Sequence, residues 1–96
     1  MFTPTIGRIV HYTLSESDVA LIKDLRERMA GIVPTVGNVV EPGQVYPAMI
    51  VRTWSDAPIA YVNLQVFLDG NHVYWATSRQ AGVGDGHWEW PQRTIG

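Results

Sequence analysis

The chain has 96 residues, 46% of them hydrophobic and 17% charged, with a formal net charge of -2. That length holds a single domain, residues 1–96, around one core of modest stability, and the charged share lies below the ~25% of an average domain, which favours hiding surface by self-association. The weak negative charge argues against binding duplex nucleic acid, and the absence of cysteine excludes disulfides and thiolate chemistry and suits a reducing cytoplasm.

The opening residues lack a charged region followed by an apolar one, and no stretch approaches ~18 consecutive apolar residues. The chain is therefore expected to be neither secreted nor membrane-spanning. Arg8 to Tyr12 reads as a first strand, with Ile9 and His11 on one face and Val10 and Tyr12 on the other. Ser15 caps a helix from Glu16 to Ala30, with Asp18 completing an approximate capping box and Gly31 ending it. Val19, Ile22, Leu25 and Met29, widened by Leu21, form its apolar stripe, and Lys23–Glu27 and Asp24–Arg28 are four apart on its exposed side. Ile32 to Tyr46, punctuated by Gly and Pro, predicts a loop with at most one short edge strand. Ala48 to Trp54 reads as the next strand, with Met49 and Val51 opposed to Ile50, Arg52 and Trp54.

Ser55 to Ala60 turns the chain into Val62 to Ser78, two runs of β-forming residues around Asp69-Gly70. That pair suits a two-residue type I′ turn, whose register sets Phe67 opposite His72, Val66 opposite Val73 and Leu64 opposite Trp75. Val62, Leu64, Val66, Val73 and Trp75 then form a core face, and Asn63, Gln65, Phe67, His72 and Tyr74 the other. Arg79 to Gly86, rich in glycine, reads as a mobile connection, and His87 to Trp90 as a last short strand with Trp88 and Trp90 on one face. The expected fold is α+β, mainly β: a small strongly bent antiparallel sheet or SH3-like barrel of four to five strands, with one helix inserted after the first strand.

No catalytic constellation stands out. His11, His72 and His87 lie in separate strands without metal-ligand spacing, and no serine sits in a nucleophile motif, so neither enzyme activity nor a metal or cofactor is expected. Binding is the better case. Four Trp and four Tyr exceed what so small a core can bury, and the positive charge outside the helix is all arginine, suited to phosphate forks and flat rings. The plainer reading keeps Trp75 in the core, makes Tyr74 and Phe67 a subunit contact and gives the arginines to surface ion pairs.

Gly7-Arg8-Ile9-Val10-His11-Tyr12, Tyr46-Pro47-Ala48, Ile50-Val51-Arg52, the run Val62 to Asn71, Tyr74-Trp75-Ala76-Thr77-Ser78 and Trp88-Glu89-Trp90-Pro91 together resemble a family of small proteins encoded by tailed phages and prophages. The resemblance covers nearly the whole chain. It implies action in the cytoplasm of an infected bacterial host, and suggests similarity in function to anti-defence sponges, oligomers that sequester cyclic nucleotide immune signals such as 3′,3′-cGAMP without hydrolysing them. On that expectation Tyr12, Tyr74 or Trp88 would stack on bases, Arg52 and Arg79 would hold phosphates, and Asn38, Thr77 or Ser78 would meet base or ribose edges. The helix or the Phe67 face would join subunits into a homo-oligomer. The alternative is a virion accessory protein or a module that binds a host protein. Whether Arg52 and Arg79 grip phosphate or form salt bridges stays open at this level.

Overall fold

The computed structural model describes residues 3–29, 36–54 and 61–92. Its elements are β1 (Ile9–Thr13), α1 (Glu16–Met29), β2 (Val45–Thr53), β3 (Tyr61–Phe67), β4 (Val73–Gln80) and β5 (Trp88–Glu89). The strands make one antiparallel sheet in the order β4-β3-β2-β1-β5. Its two ends then meet, because Ala81 bridges Trp88 and the Gly82 amide donates to the Trp88 carbonyl at 2.9 Å. The result is a curled half-barrel with one helix after the first strand, as the sequence leads one to expect. Among the described residues no helix is long and apolar enough to cross a membrane.

Alternation along β1 and β3 builds the inner face, although Asn63 on the other side of β3 is buried as well. Val10 and Tyr12, then Val62, Leu64 and Val66, are buried together with Ala48, Ile50, Leu14, Val40 and Trp88. Each fully buried aliphatic side chain stabilises the fold by roughly 1.5–3 kcal/mol relative to exposure. The helix seats on this core by a narrower stripe than expected. Val19 and Ile22 are buried, but Leu21 and Leu25 stay 53% and 39% exposed, because the curled sheet meets only one side of α1. Asp24 and Arg28 pair at 3.0 Å on the exposed side, where an ion pair contributes little. The expected helix end at Ala30 and Gly31 and the turn from Ser55 to Ala60 lie outside the described residues.

β2 begins at Val45 rather than Ala48 and accepts Pro47 within it. Its pairing with β3 starts only at Ala48–Val66, so the proline's missing N–H interrupts no bond on that side. Further on, a bulge between Ile50 and Arg52 breaks the alternation. Ile50 is buried and Arg52 exposed, which corrects the expectation that the two share a face.

The β3–β4 hairpin differs from expectation by one residue. Phe67 pairs with Val73, Val66 with Tyr74, Gln65 with Trp75 and Leu64 with Ala76. A slip of one turns every side chain of a strand over. Tyr74 and Ala76 therefore point inward, while Val73 and Trp75 face out, Trp75 at 58% exposure. The core indole is Trp88. One cause lies at the tip, where neither Asp69 nor Gly70 has the positive φ of a type I′ turn. Instead the tip pairs with the segment after the helix: Gly37 bridges Gly70, the Asn38 amide donates to the Asp69 carbonyl at 2.8 Å, and Asn38 Nδ2 donates to Asp69 Oδ2 at 2.7 Å. Of the stretch Ile32 to Tyr46, expected to be a loop with at most one short edge strand, residues 32–35 lie outside the described residues and Gly37 makes this isolated bridge. A Cβ at Gly37 would stand 2.5 Å from the Asp69 carbonyl oxygen, and one at Gly70 would run into the Val36 carbonyl and the Gly37 Cα.

Close approach of two backbones is thus what glycine provides here. Gly70→Ala should cost ~1–3 kcal/mol in urea unfolding, because the backbones must separate. Trp75→Ala, on the outside, should stay within about 0.5 kcal/mol of the parent. A large loss at Trp75 together with none at Gly70 would restore the two-residue turn.

Candidate functional site

Ser15, the residue before α1, fixes the start of the polar centre. Its Oγ accepts from the Asp18 amide at 3.1 Å and its own amide donates to Asp18 Oδ2 at 2.9 Å, a reciprocal capping box with Asp in the third helical position. The same carboxylate is fully buried inside the curl. Tyr12 of β1 donates its hydroxyl to Oδ2 at 2.6 Å, Tyr74 of β4 donates to Oδ1 at 2.7 Å, and Arg79 Nη2 reaches Oδ1 at 2.8 Å. Arg79 also donates from Nε to the Tyr12 hydroxyl at 2.7 Å and from Nη1 to the Thr77 carbonyl at 2.8 Å. Sequence reading finds the cap but not the network, since nothing in local spacing links residue 18 to residues 74 and 79.

Electrostatics make this cluster a closed unit. Burial pushes the Asp18 carboxyl up, but the hydrogen bonds from Tyr12, Ser15 and Tyr74 outweigh it and hold it below its ordinary value. Burial, then the bond to Asp18, pushes the Tyr74 phenol up to about 12, and the same causes raise Tyr12. Burial acts to lower Arg79, yet its bonds to Asp18 and Tyr12 prevail and hold it charged. One anion and one cation are thus neutralised in place, with each carboxylate oxygen accepting two bonds.

Most residues expected to meet a ligand are committed elsewhere. Tyr12, Tyr74 and Trp88 are buried, so no base can stack on them, and the Trp88 indole donates to the Arg79 carbonyl at 3.1 Å. Arg79 forms a salt bridge, to Asp18, and is not a free phosphate fork. Asn38 is exposed but staples the hairpin tip through Asp69, while its carbonyl accepts from Arg26 Nη1. Thr77 is half-buried, and Ser78, at φ 53°, sits in a bulge where its amide donates to the buried Asn63 Oδ1 at 2.8 Å. Arg52 keeps the expected exposed position, no carboxylate among the described residues pairs with it, and its guanidinium lies 5.4 Å above the Trp54 ring.

The accessible chemistry is on the outer face of the sheet. Trp54, Tyr61, Phe67 and Trp75 are 54%, 52%, 38% and 58% exposed. Register places them on one side: Phe67 pairs with Val73 and Gln65 with Trp75, Tyr61 alternates with the inward Val62, and Arg52 and Trp54 follow the β2 bulge outward. Ile9 and Met49, paired across β1 and β2, continue this apolar surface beside Gln65. Comparison of the chain with protein-family models, with curated proteins and with solved structures finds no match. Among the described residues no group of three or more His, Asp or Glu is placed to hold a metal ion.

Breaking the inner cluster should therefore act on stability. Asp18→Ala leaves two phenols and a guanidinium without their acceptor and should cost ~3–5 kcal/mol. Because the folded carboxyl titrates below its unfolded value, its contribution is complete above the ordinary Asp range near ~4 and fades as pH falls below it. The stability gap between the parent and Asp18→Asn, followed by urea unfolding, should hold from pH 7 to 5 and narrow below pH ~4. A gap that stays constant down to pH ~3 would mean that the carboxylate charge is not what holds the cluster.

Proposed function

We propose that the protein is a non-catalytic interaction module that works through the outer face of its curled sheet. One observation carries this reading: four aromatic side chains stand exposed together on a face that the fold itself does not cover. Contiguous exposed aromatic and aliphatic surface marks interaction sites, and aromatics are enriched in interface centres. The buried polar groups add to it in the negative, since Asp18, Tyr12, Tyr74 and Arg79 spend their bonds on each other. Taken with the resemblance to small tailed-phage proteins, the partner would be a virion component or a host protein met during infection.

A second reading rests on Arg52. Its guanidinium over Trp54, with Tyr61 next across the strands, offers a cation and flat rings on one exposed corner. Such a corner suits a planar anionic ligand of the cyclic nucleotide class, held without turnover. Stacking would then come from Trp54 and Tyr61 in place of Tyr12, Tyr74 and Trp88.

The two readings separate by experiment. On the first, Phe67→Ser/Trp75→Ser should keep the fold yet lose incorporation into purified particles, or lose one defined host protein that the parent binds. An unchanged partner would remove the outer face from the proposal. On the second, a thermal-unfolding panel of cyclic nucleotides should give one selective shift, worth ~2.7 kcal/mol at about 100 times the dissociation constant. Arg52→Ala or Trp54→Ala should abolish that shift, and product formation on chromatography would overturn the non-catalytic assignment.

A further inference from the structure

Arg26 and His72 both belong to the junction where the end of α1 meets the hairpin tip. Arg26 stands in the last turn of the helix, its Nη1 donates to the Asn38 carbonyl, and a Cβ at Gly37 would lie 2.8 Å from its Nη2. The guanidinium is thus pressed against segment 36–38. That segment in turn holds the tip: the Asn38 amide donates to the Asp69 carbonyl, the Asn71 amide donates to the Val36 carbonyl, and Gly37 bridges Gly70. His72 follows directly on these contacts. Its Nδ1 is buried without a hydrogen-bond partner, and so are Nε and Nη2 of Arg26. Buried polar atoms ordinarily have partners, so three bare nitrogens on these two side chains need a reason.

Only one protonation state suits this junction. A neutral imidazole leaves a bare lone pair at Nδ1, which costs one lost hydrogen bond. An imidazolium places there an N–H with no acceptor, and adds a positive charge to that of Arg26. Burial first, and then the Arg26 charge, accordingly hold the His72 imidazole below its ordinary value. No other charge is set to relieve it. Asp69 on the tip already accepts from Asn38 Nδ2 at 2.7 Å, segment 36–38 carries no charged side chain, and Ala30 to Thr35 contain no titratable one.

We propose that His72 is a pH-sensitive latch for the hairpin tip: neutral, it lets the tip close on segment 36–38, and protonated beside Arg26, it drives the tip off that segment into water. β3 and β4 stay paired, because their ladder begins at Phe67–Val73 and does not include His72. What loosens is the end of the outer face next to Phe67 and Val73. The inference holds whatever that face binds. With the tip open His72 has its ordinary value near ~6.5, and with the tip closed a lower one, so closure is complete above ~6.5 and weakens as pH falls below it.

Amide hydrogen exchange, corrected for the intrinsic rate at each pH, reads the latch directly. Between pH ~7.5 and ~5.5 protection at Asn38 and Asn71 should fall roughly three- to tenfold, the response to uptake of one proton, while protection in the β1–β2 ladder holds. His72→Gln, neutral at every pH, should keep the tip closed throughout that range. Arg26→Gln removes the charge but keeps a donor for the Asn38 carbonyl, and should move the His72 titration, followed by NMR, upward toward its ordinary value. Circular dichroism checks that both variants fold. Constant protection in the parent, a fall that persists in His72→Gln or is shared equally by the β1–β2 ladder, or a His72 titration unmoved by Arg26→Gln would each overturn the proposal.

Discussion

A single buried carboxylate holds the structure to its register. Asp18 receives the Ser15 amide, the Tyr12 and Tyr74 hydroxyls and the Arg79 guanidinium, and so ties the helix start to β1 and to both halves of β4. A buried charge is tolerable only when it is paired and its lone pairs are filled. Sliding β4 by one residue would carry Tyr74 out and bring Trp75 in, and an indole offers one N–H at a different reach from a phenol. Oδ1 would lose a donor in the interior. The cost of that loss, rather than any apolar preference, separates the two registers, since Trp75 would bury more apolar area than Tyr74 does.

Two bulges sort the two arginines that the sequence offers as equivalents. Along β4, simple alternation from the inward Tyr74 and Ala76 would send Ser78 in and Arg79 out. The extra residue there reverses the count, Arg79 pairs with Val62 on the inner face and so reaches Asp18, and Asn63 accepts from the Ser78 amide that the bulge orphans. Along β2 the bulge after Ile50 does the opposite: Arg52 leaves the inner face and lies over Trp54 in solvent. One guanidinium is tied into the polar centre and the other is exposed over an indole, and the difference between them is one residue of backbone in each strand.

This explains where sequence reading succeeds. Alternation in β1 and β3, the cap at Ser15 with Asp18 and the β-rich order of elements are local signals, and they lead to the curled sheet with its helix after the first strand. The β4 register is not local. Tyr74 and Trp75 are adjacent aromatics, so a period of two puts an apolar residue inside on either count. What decides between them is distant in the chain: Asp18 at one end, and at the other Gly37, which meets Gly70 too closely for any side chain and so draws the tip away from a tight turn. The same slip carries the candidate site with it, moving Tyr74 and Arg79 from ligand to scaffold while leaving Arg52 exposed.

The inside and the outside of the sheet are therefore linked. Satisfying Asp18 requires Tyr74 within, and Tyr74 within obliges Val73 and Trp75 to stand without. In so small a domain an exposed indole is surface that water meets unfavourably, and the core gains nothing from it. That indole stands on β4, the last strand on its side of the sheet among the described residues, in line with the exposed Val73 and beside Gln65 of β3. The polar demand of one buried carboxylate thus sets which aromatic the core takes and which it leaves on the surface.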